Sequence, residues 1–320
     1  MAADAEAILR AARRPLVIGM GGGGDVVGAL ATAEAMRVYD DADPLVGGLT
    51  WERRPIDPLP GPRRVDEIEA AWELAPGVLL AGPRTKVRGR DVHFAESRMA
   101  AFLDRPTVLV DIHAGPAAVA DALASAYRSL QRDLLVFVDV GGDVLARGDE
   151  PGLRSPLADA LMLAAAERLV AAGHPALLGI FGIGCDSELT TAEVLDRLAR
   201  VAAADGLCGA RGLTEPVAQR VEGSLEFVPT EASAQAVRAF RGGAGTVSIR
   251  GGARQFELTS LAAQTMFLDV AATVEAVGRL AVAVGTVASL EQANDALHGL
   301  GVRTELDLER DAAEAPPPSR

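Results

Sequence analysis

The sequence predicts an α/β fold of Rossmann-like type, a three-layer αβα sandwich around a mostly parallel sheet. Short apolar runs are followed by a Gly or Asp cluster and then by a segment with helical periodicity, which is the order of successive βαβ units. Hydrophobic residues make up 49% of the 320-residue chain, whereas aromatic residues make up only 4%. Ala, Val and Leu therefore supply the apolar mass, as in parallel sheets that are covered by helices.

The apolar runs predict strands, and the segments between them predict helices. Strands are predicted at residues 16–20, 45–49, 78–81, 107–112, 134–140 and 177–183. Helices are predicted at residues 26–39, 66–74, 117–130, 157–172 and 192–204. Thr190 and Glu193 have the spacing of a capping box, which predicts the start of the last of these helices.

The final third of the chain has weaker periodicity. It predicts helices at residues 214–221 and 230–241, strands at 246–249 and 265–268, a capped helix from Ser289, and an edge strand at 302–306. The segment from Asp307 is charged and then Pro-rich, which is typical of disorder. We therefore expect one α/β domain over residues 1–306 and a disordered acidic tail over residues 307–320.

Composition excludes several classes of partner. The net charge is −13, and Lys and Arg form no long cluster, so nucleic acid and anionic membrane surfaces are unfavourable partners. No apolar run reaches the length of a membrane span. Two cysteines and the lack of a signal-peptide pattern favour a cytoplasmic protein. The apolar segment 270–284 fits either a core helix or the interface of a homo-oligomer.

Three predicted strand ends share one plan, in which Gly residues are followed by acidic residues. The carboxyl ends of parallel strands form the ligand crevice of open α/β sheets, so these loops are expected to meet at one site. Glycine lets a ligand approach the backbone, which makes the glycines candidate ligand-binding residues: Gly21, Gly22, Gly23, Gly24, Gly141, Gly142 and Gly184. Carboxylates are the donors that Mg²⁺ and Mn²⁺ prefer, and the candidate metal ligands are Asp25, Asp139, Asp143, Asp186 and Glu188.

The first of these loops permits two other interpretations. Residues 19–24 satisfy the GxGxxG pattern of dinucleotide-binding proteins, with Glu52 as the residue that would bind a ribose. Asp25 is also suited to capping the helix that follows. A phosphate and the Asp25 carboxylate would compete for the same helix N-terminus and repel each other. A divalent cation bound between them would remove this repulsion.

Two further sets of residues are candidates for catalysis and for ligand binding. His113 could act as a general base oriented by Asp111, because alternation along the predicted strand places both side chains on one side; a hydrogen-bonded structural histidine is the alternative. Trp51, Glu52 and Arg53 follow the second strand and could bind a ligand ring and its charged groups, whereas a Trp at the edge of the core is the alternative.

Five segments together resemble a known family. They are residues 19–30, 48–53 with Trp-Glu-Arg, 57–62, 138–143 and 182–190. These segments resemble the motifs of the domain of unknown function 1152 family of archaea and bacteria, over about residues 15–305. The resemblance implies a Rossmann-like fold and implies no activity.

The residues favour an enzyme that acts on a small anionic metabolite, phosphorylated or not, with a divalent cation held by Asp25, Asp143 and Asp186. In this hypothesis His113 or Asp111 moves the proton, and hydrolysis, lyase chemistry and group transfer all stay open. A nucleotide-cofactor enzyme is one alternative. A non-catalytic small-ligand sensor or assembly subunit is the other, since a fold does not determine a function.

Overall fold

The computed structural model describes residues 4–314. In this range the strands are β1 (Pro15–Gly19), β2 (Leu45–Leu49), β3 (Ile68–Ala75), β4 (Val78–Val87), β5 (Thr107–Val110), β6 (Leu134–Val140), β7 (Ala176–Phe181), β8 (Leu207–Gly212), β9 (Gly245–Ile249), β10 (Arg254–Leu258) and β11 (Gln264–Leu268). The α-helices are α1 (Ala5–Ala11), α2 (Asp25–Tyr39), α3 (Ala95–Leu103), α4 (Gly115–Ser129), α5 (Pro156–Ala171), α6 (Thr191–Ala203), α7 (Glu215–Ser224), α8 (Glu231–Phe240), α9 (Val270–Val277), α10 (Arg279–Val284), α11 (Leu290–Gly299) and α12 (Glu305–Glu314).

Nine strands form one sheet in the order β3-β4-β5-β2-β1-β6-β7-β11-β8. The five central strands, from β5 to β7, are parallel to one another. The strands at both edges are antiparallel, and β9 and β10 form a separate hairpin. The predicted α/β fold with a mostly parallel central sheet flanked by helices is confirmed.

Both faces of the central strands are buried, which makes the fold a sandwich. Along β1, Leu16 and Ile18 belong to a core cluster with residues of α4 and α5. Val17, which points the other way, belongs to a cluster with residues of α2. This alternation places apolar residues on both faces of each central strand.

The order of the strands reverses beside β1. From β1 the chain first proceeds outwards to β2, and it later returns to place β6 against the other side of β1. In open α/β sheets, the carboxyl ends of the strands at such a reversal form the crevice in which ligands bind. The topology therefore predicts a ligand site at the loops that follow β1, β6 and β7.

The helix predicted at residues 66–74 is wrong, because this segment is the edge strand β3 paired with β4. Glu and Ala favour helices, but pairing with a neighbouring strand outweighs their propensity. A bulge at Ala70, where φ is +58°, interrupts the alternation that would have revealed a strand. The side chain of Trp72 lies outside the core, with the residue 74% exposed.

The C-terminal predictions are also corrected. No strand forms at residues 302–306. Residues 307–314, which the sequence predicts to be disordered, belong instead to helix α12. Tertiary contacts order this charged segment: Asp307 accepts hydrogen bonds from Asn294 and from the backbone amide of Thr304, while Glu305 and Glu309 are buried. Residues 315–320 of the predicted tail lie outside the described residues.

The apolar segment 270–284 forms α9 and α10, which pack against α5. Val270, Val274, Val277 and Val284 are buried within the chain, so a core position explains their apolar character. The homo-oligomer stays a prediction. Among residues 4–314, no helix combines the length and the apolar character needed to cross a membrane.

Candidate functional site

A pocket of about 370 Å³ lies at the carboxyl ends of the central strands. We call it the acidic pocket, because carboxylates from several loops line it. Its lining includes Gly21 to Gly24, Asp25, Glu52, Arg53, Arg54, Asp143, Ser155, Asp159, Asp186, Glu188, Thr230 and Arg250. The loops after β1, β6 and β7 thus meet at one site, as the sequence predicts.

Six carboxyl groups at the pocket form two groups of three, and within each group the candidate ligand oxygens lie within 4.8 Å of one another. The Asp25 group comprises Asp25, Asp139 and Asp159. Asp25 begins α2, Asp139 lies near the end of β6, and Asp159 lies in the first turn of α5.

The Asp143 group comprises Asp143, Asp186 and Glu188. Asp143 follows β6, and the other two residues lie in the loop after β7. The sequence assigns Asp25, Asp143 and Asp186 to one cation. The structure places these three residues in two groups, because the oxygens of Asp143 and Asp186 lie close to Glu188, whereas those of Asp25 lie close to Asp139 and Asp159.

Several carboxylate oxygens at this site have no donor. The amide, hydroxyl and guanidinium groups of residues 4–314 donate no hydrogen bond to Asp139 Oδ2, Asp159 Oδ1 or Asp186 Oδ2. These three residues are 1%, 2% and 7% exposed. A buried carboxylate without a donor is costly, so such oxygens indicate that a proton or a cation completes the site.

The electrostatics agree with this interpretation. Burial, reinforced by the charge of Asp139, raises the pKa of Asp25 to about 8. Burial raises the pKa of Asp139 to about 6, even though hydrogen bonds from Asp143 and from the Gly142 amide stabilise its charged form. Burial, together with neighbouring carboxylates, also raises the pKa of Asp143, Asp159 and Asp186 well above the ordinary range. A divalent cation would reverse this effect by favouring the charged forms.

The glycines contribute to the site in two different ways. Gly21 to Gly24 line the acidic pocket, and the Gly21 amide donates to Asp25 Oδ2 at 2.8 Å. Gly141, Gly142 and Gly184 do not line it, which corrects their predicted contact with a ligand. A Cβ on Gly141 would lie 2.2 Å from Asp186 Cγ. Gly141 therefore makes room for the Asp186 carboxylate.

Trp51 is fully buried and does not line the pocket, so the prediction that it binds a ligand ring is wrong. Its Nε1 donates to Glu309 Oε2 at 3.0 Å, and the guanidinium of Arg53 stacks 4.2 Å from its ring centroid. Arg53 also donates to the Gly21 carbonyl and lies 3.5 Å from carboxylate oxygens of Glu305 and Glu309. The C-terminal helix α12 thus holds Arg53 at the wall of the pocket.

Glu52 lines the pocket but is paired. Its Oε2 accepts a hydrogen bond from Arg98 Nη2 at 3.0 Å, and its side chain is only 3% exposed. This ion pair competes with the ribose contact that the dinucleotide hypothesis assigns to Glu52.

His113 and Asp111 lie in a different place. His113 Nδ1 and Asp111 Oδ1 are 2.7 Å apart, which is the predicted pairing. Both residues line a separate cavity of about 900 Å³ beside β3 and α4, and neither lines the acidic pocket. The expectation that His113 serves the ligand of the acidic pocket is therefore wrong. The reason is the strand order, since β5 is separated from β1 by β2.

The chain matches the family model described as Protein of unknown function (DUF1152) over residues 16–313. The chain belongs to the DUF1152 family. The resemblance seen in the sequence motifs is thereby confirmed. No curated protein and no solved structure matches the chain.

The DUF1152 match includes every carboxylate of the acidic pocket and all of α12 except its last residue, Glu314. Sequence reasoning missed Ser155, Asp159 and Arg250, which line the pocket, and Glu305 and Glu309, which contact Arg53. Asp159 looks like an ordinary acidic residue in the first turn of a helix, and Glu305 and Glu309 look like part of a solvated tail. Nothing in the local sequence indicates that these residues lie near the carboxyl ends of the central strands.

Proposed function

We propose that this DUF1152 protein is a divalent-metal-dependent hydrolase of a small phosphorylated metabolite. The observation that carries the proposal is the convergence of carboxylates from separate loops on one pocket, with buried oxygens that lack a donor. In the proposed site, Mg²⁺ or Mn²⁺ binds Asp143, Asp186 and Glu188. These are hard oxygen donors, which these cations prefer.

Free arginines at the mouth of the pocket support an anionic substrate. Arg54 and Arg250 are exposed and line the pocket. Within residues 4–314, no carboxylate forms an ion pair with either guanidinium, whereas Arg53 and Arg254 are paired with acidic residues. A guanidinium binds phosphate oxygens through parallel hydrogen bonds. A substrate with a phosphoryl group could therefore span the cation and the arginines.

The proposed reaction is the hydrolysis of a phosphate monoester. The oxygen of a water molecule attacks phosphorus, the bond between phosphorus and the ester oxygen breaks, and the alcohol leaves with a proton while inorganic phosphate remains. A divalent cation at the Asp143 group would polarise a phosphoryl oxygen and activate water. The arginines orient the phosphoryl group and neutralise its remaining charge.

The direct test is phosphate release from a panel of phosphate monoesters by the metal-stripped full-length protein. We expect release only after Mg²⁺ or Mn²⁺ is added, and a loss of about 100-fold or more in Asp186→Asn. Arg250→Ala should raise KM about 10-fold while leaving the affinity for Mn²⁺ unchanged, because a hydrogen bond to a charged group contributes on the order of 1.5–3 kcal/mol.

Asp295→Asn is the matched control, since Asp295 is exposed on α11 and lies outside the pocket. This variant should retain full activity. Binding of Mn²⁺ without phosphate release from any monoester would overturn the reaction, and the absence of Mn²⁺ binding would overturn the site itself.

A further inference from the structure

We propose that the acidic pocket binds two adjacent divalent cations, with the second cation held by Asp25, Asp139 and Asp159. The pair would accept a phosphoryl group between its two ions. This inference deepens the proposed function and rests on it, since the first cation is the one assigned to Asp143, Asp186 and Glu188.

The geometry of the Asp25 group fits one ion. Its three candidate ligand oxygens lie within 4.8 Å of one another. Mg²⁺ binds oxygen at about 2.0–2.1 Å, so oxygens on opposite sides of the ion are about 4.2 Å apart. Small side-chain adjustments would bring all three oxygens into contact with one cation.

Each group also has buried oxygens that lack a donor, which is an observation independent of the acidic clustering. The Asp25 group has two, Asp139 Oδ2 and Asp159 Oδ1, and the Asp143 group has Asp186 Oδ2. Asp139 and Asp159 are 1% and 2% exposed. Because both groups have such oxygens, a single cation would satisfy only one of them.

Charge balance favours two ions over one. The six carboxylates carry a formal charge of −6 when all are ionised. Among the paired arginines nearby, Arg53 is engaged with Glu305 and Glu309, and Arg254, 3.5 Å from Glu188 Oε1, compensates one of the six charges. Two divalent cations would supply four further positive charges, whereas one would leave about half of the buried charge uncompensated.

The two groups are adjacent, because residues of both groups line one pocket and the charge of Asp139 acts on the Asp143 carboxyl group. When both are ionised they can only accept hydrogen bonds, so a proton or a cation must lie between two such neighbouring carboxylates. In enzymes with two metal ions, the ions lie about 3.5–4 Å apart and bind both the attacking and the leaving oxygen of a phosphoryl transfer. The two groups would supply separate sets of ligands for such a pair of ions.

The test is the number of Mn²⁺ ions that the metal-stripped full-length protein binds, measured by titration with electron paramagnetic resonance. We expect two ions per chain and the spectrum of a magnetically coupled pair. Asp159→Asn and Asp186→Asn should each bind one ion and lose the coupling. The exposed variant Asp295→Asn should bind two coupled ions.

The outcomes separate the inference from the proposed function. One ion per chain in the unchanged protein, retained in Asp159→Asn and lost in Asp186→Asn, would overturn the second site and leave the first. Binding of no ion would overturn both. Two uncoupled ions would overturn the adjacency. Asn is nearly isosteric with Asp, and circular dichroism of Asp159→Asn will show that a lost ion does not reflect a lost fold.

Discussion

At the scale of single residues, Gly21 determines the shape of the acidic pocket. Its amide donates to Asp25 Oδ2, and the absence of a side chain leaves space for two carboxylates. A Cβ at this position would lie 2.6 Å from Asp25 Oδ2 and 3.6 Å from Asp159 Oδ1. The backbone of Gly21 lies outside the left-handed region, so alanine is compatible with its conformation.

Gly21→Ala should therefore fold but bind the Mn²⁺ ion assigned to the Asp25 group more weakly, by about 10-fold to 100-fold, because the new methyl group displaces the Asp25 carboxylate. Isothermal titration of the metal-stripped protein measures this affinity. Gly299→Ala is the matched control, since a Cβ there has no neighbour within 4 Å. An unchanged affinity in Gly21→Ala would show that Asp25 is not a ligand.

At the scale of elements, helix α12 supports the site by contacting α5. Glu305 accepts hydrogen bonds from the backbone amides of Leu157 and Ala158, each at 2.9 Å. These amides belong to the first turn of α5, where helical amides have no partner within the helix. Glu305 thus caps α5 from a distance, and α5 carries Asp159 into the pocket.

Glu305→Ala should lower the free energy of unfolding by about 1–2 kcal/mol, which is the typical effect of losing an N-terminal cap. Urea denaturation of the metal-stripped protein measures this change. Glu314→Ala, at an exposed position of the same helix, should alter stability by less than about 0.5 kcal/mol. Equal effects of the two substitutions would contradict the capping role.

At the scale of the whole molecule, the acidic pocket links stability to pH. The pKa of Asp25 is about 8 in the folded protein, against a value of 3.8 without its surroundings. Between these values the folded state binds more protons than the unfolded state, so the free energy of unfolding falls as pH rises. The pKa of Asp139, at about 6, acts in the same direction over a lower range.

The metal-stripped protein should therefore be less stable at about pH 8 than at about pH 6, because Asp25 must release its proton in a buried site. Added Mg²⁺ should stabilise it more at the higher pH, where the carboxylates are charged and free to bind the cation. Urea denaturation at both pH values measures these effects. Asp25→Asn should reduce the dependence on pH, and Asp295→Asn should preserve it. Metal-stripped stability that rises from pH 6 to pH 8 would contradict the proposed electrostatics.

The glycine and aspartate loops could be located from sequence because their signal is local. An apolar run followed by Gly and Asp marks the carboxyl end of a buried strand, and the parallel sheet brings such ends together. Asp25, Asp143, Asp186 and Glu188 line one pocket for this reason. The same reasoning placed His113 at a strand end correctly, but it could not show that β2 separates that end from β1.

The sequence by itself determined the class of fold and the edge of the sheet where carboxylates collect, because both depend on residues that are neighbours along the chain. Tertiary structure alone decided how those carboxylates divide into two groups and that Asp159 joins them. It also decided that Glu305 and Glu309 are buried parts of one ordered helix. The physical reason is that these charged residues are held in place by partners more than a hundred positions away, and local periodicity carries no information about such partners.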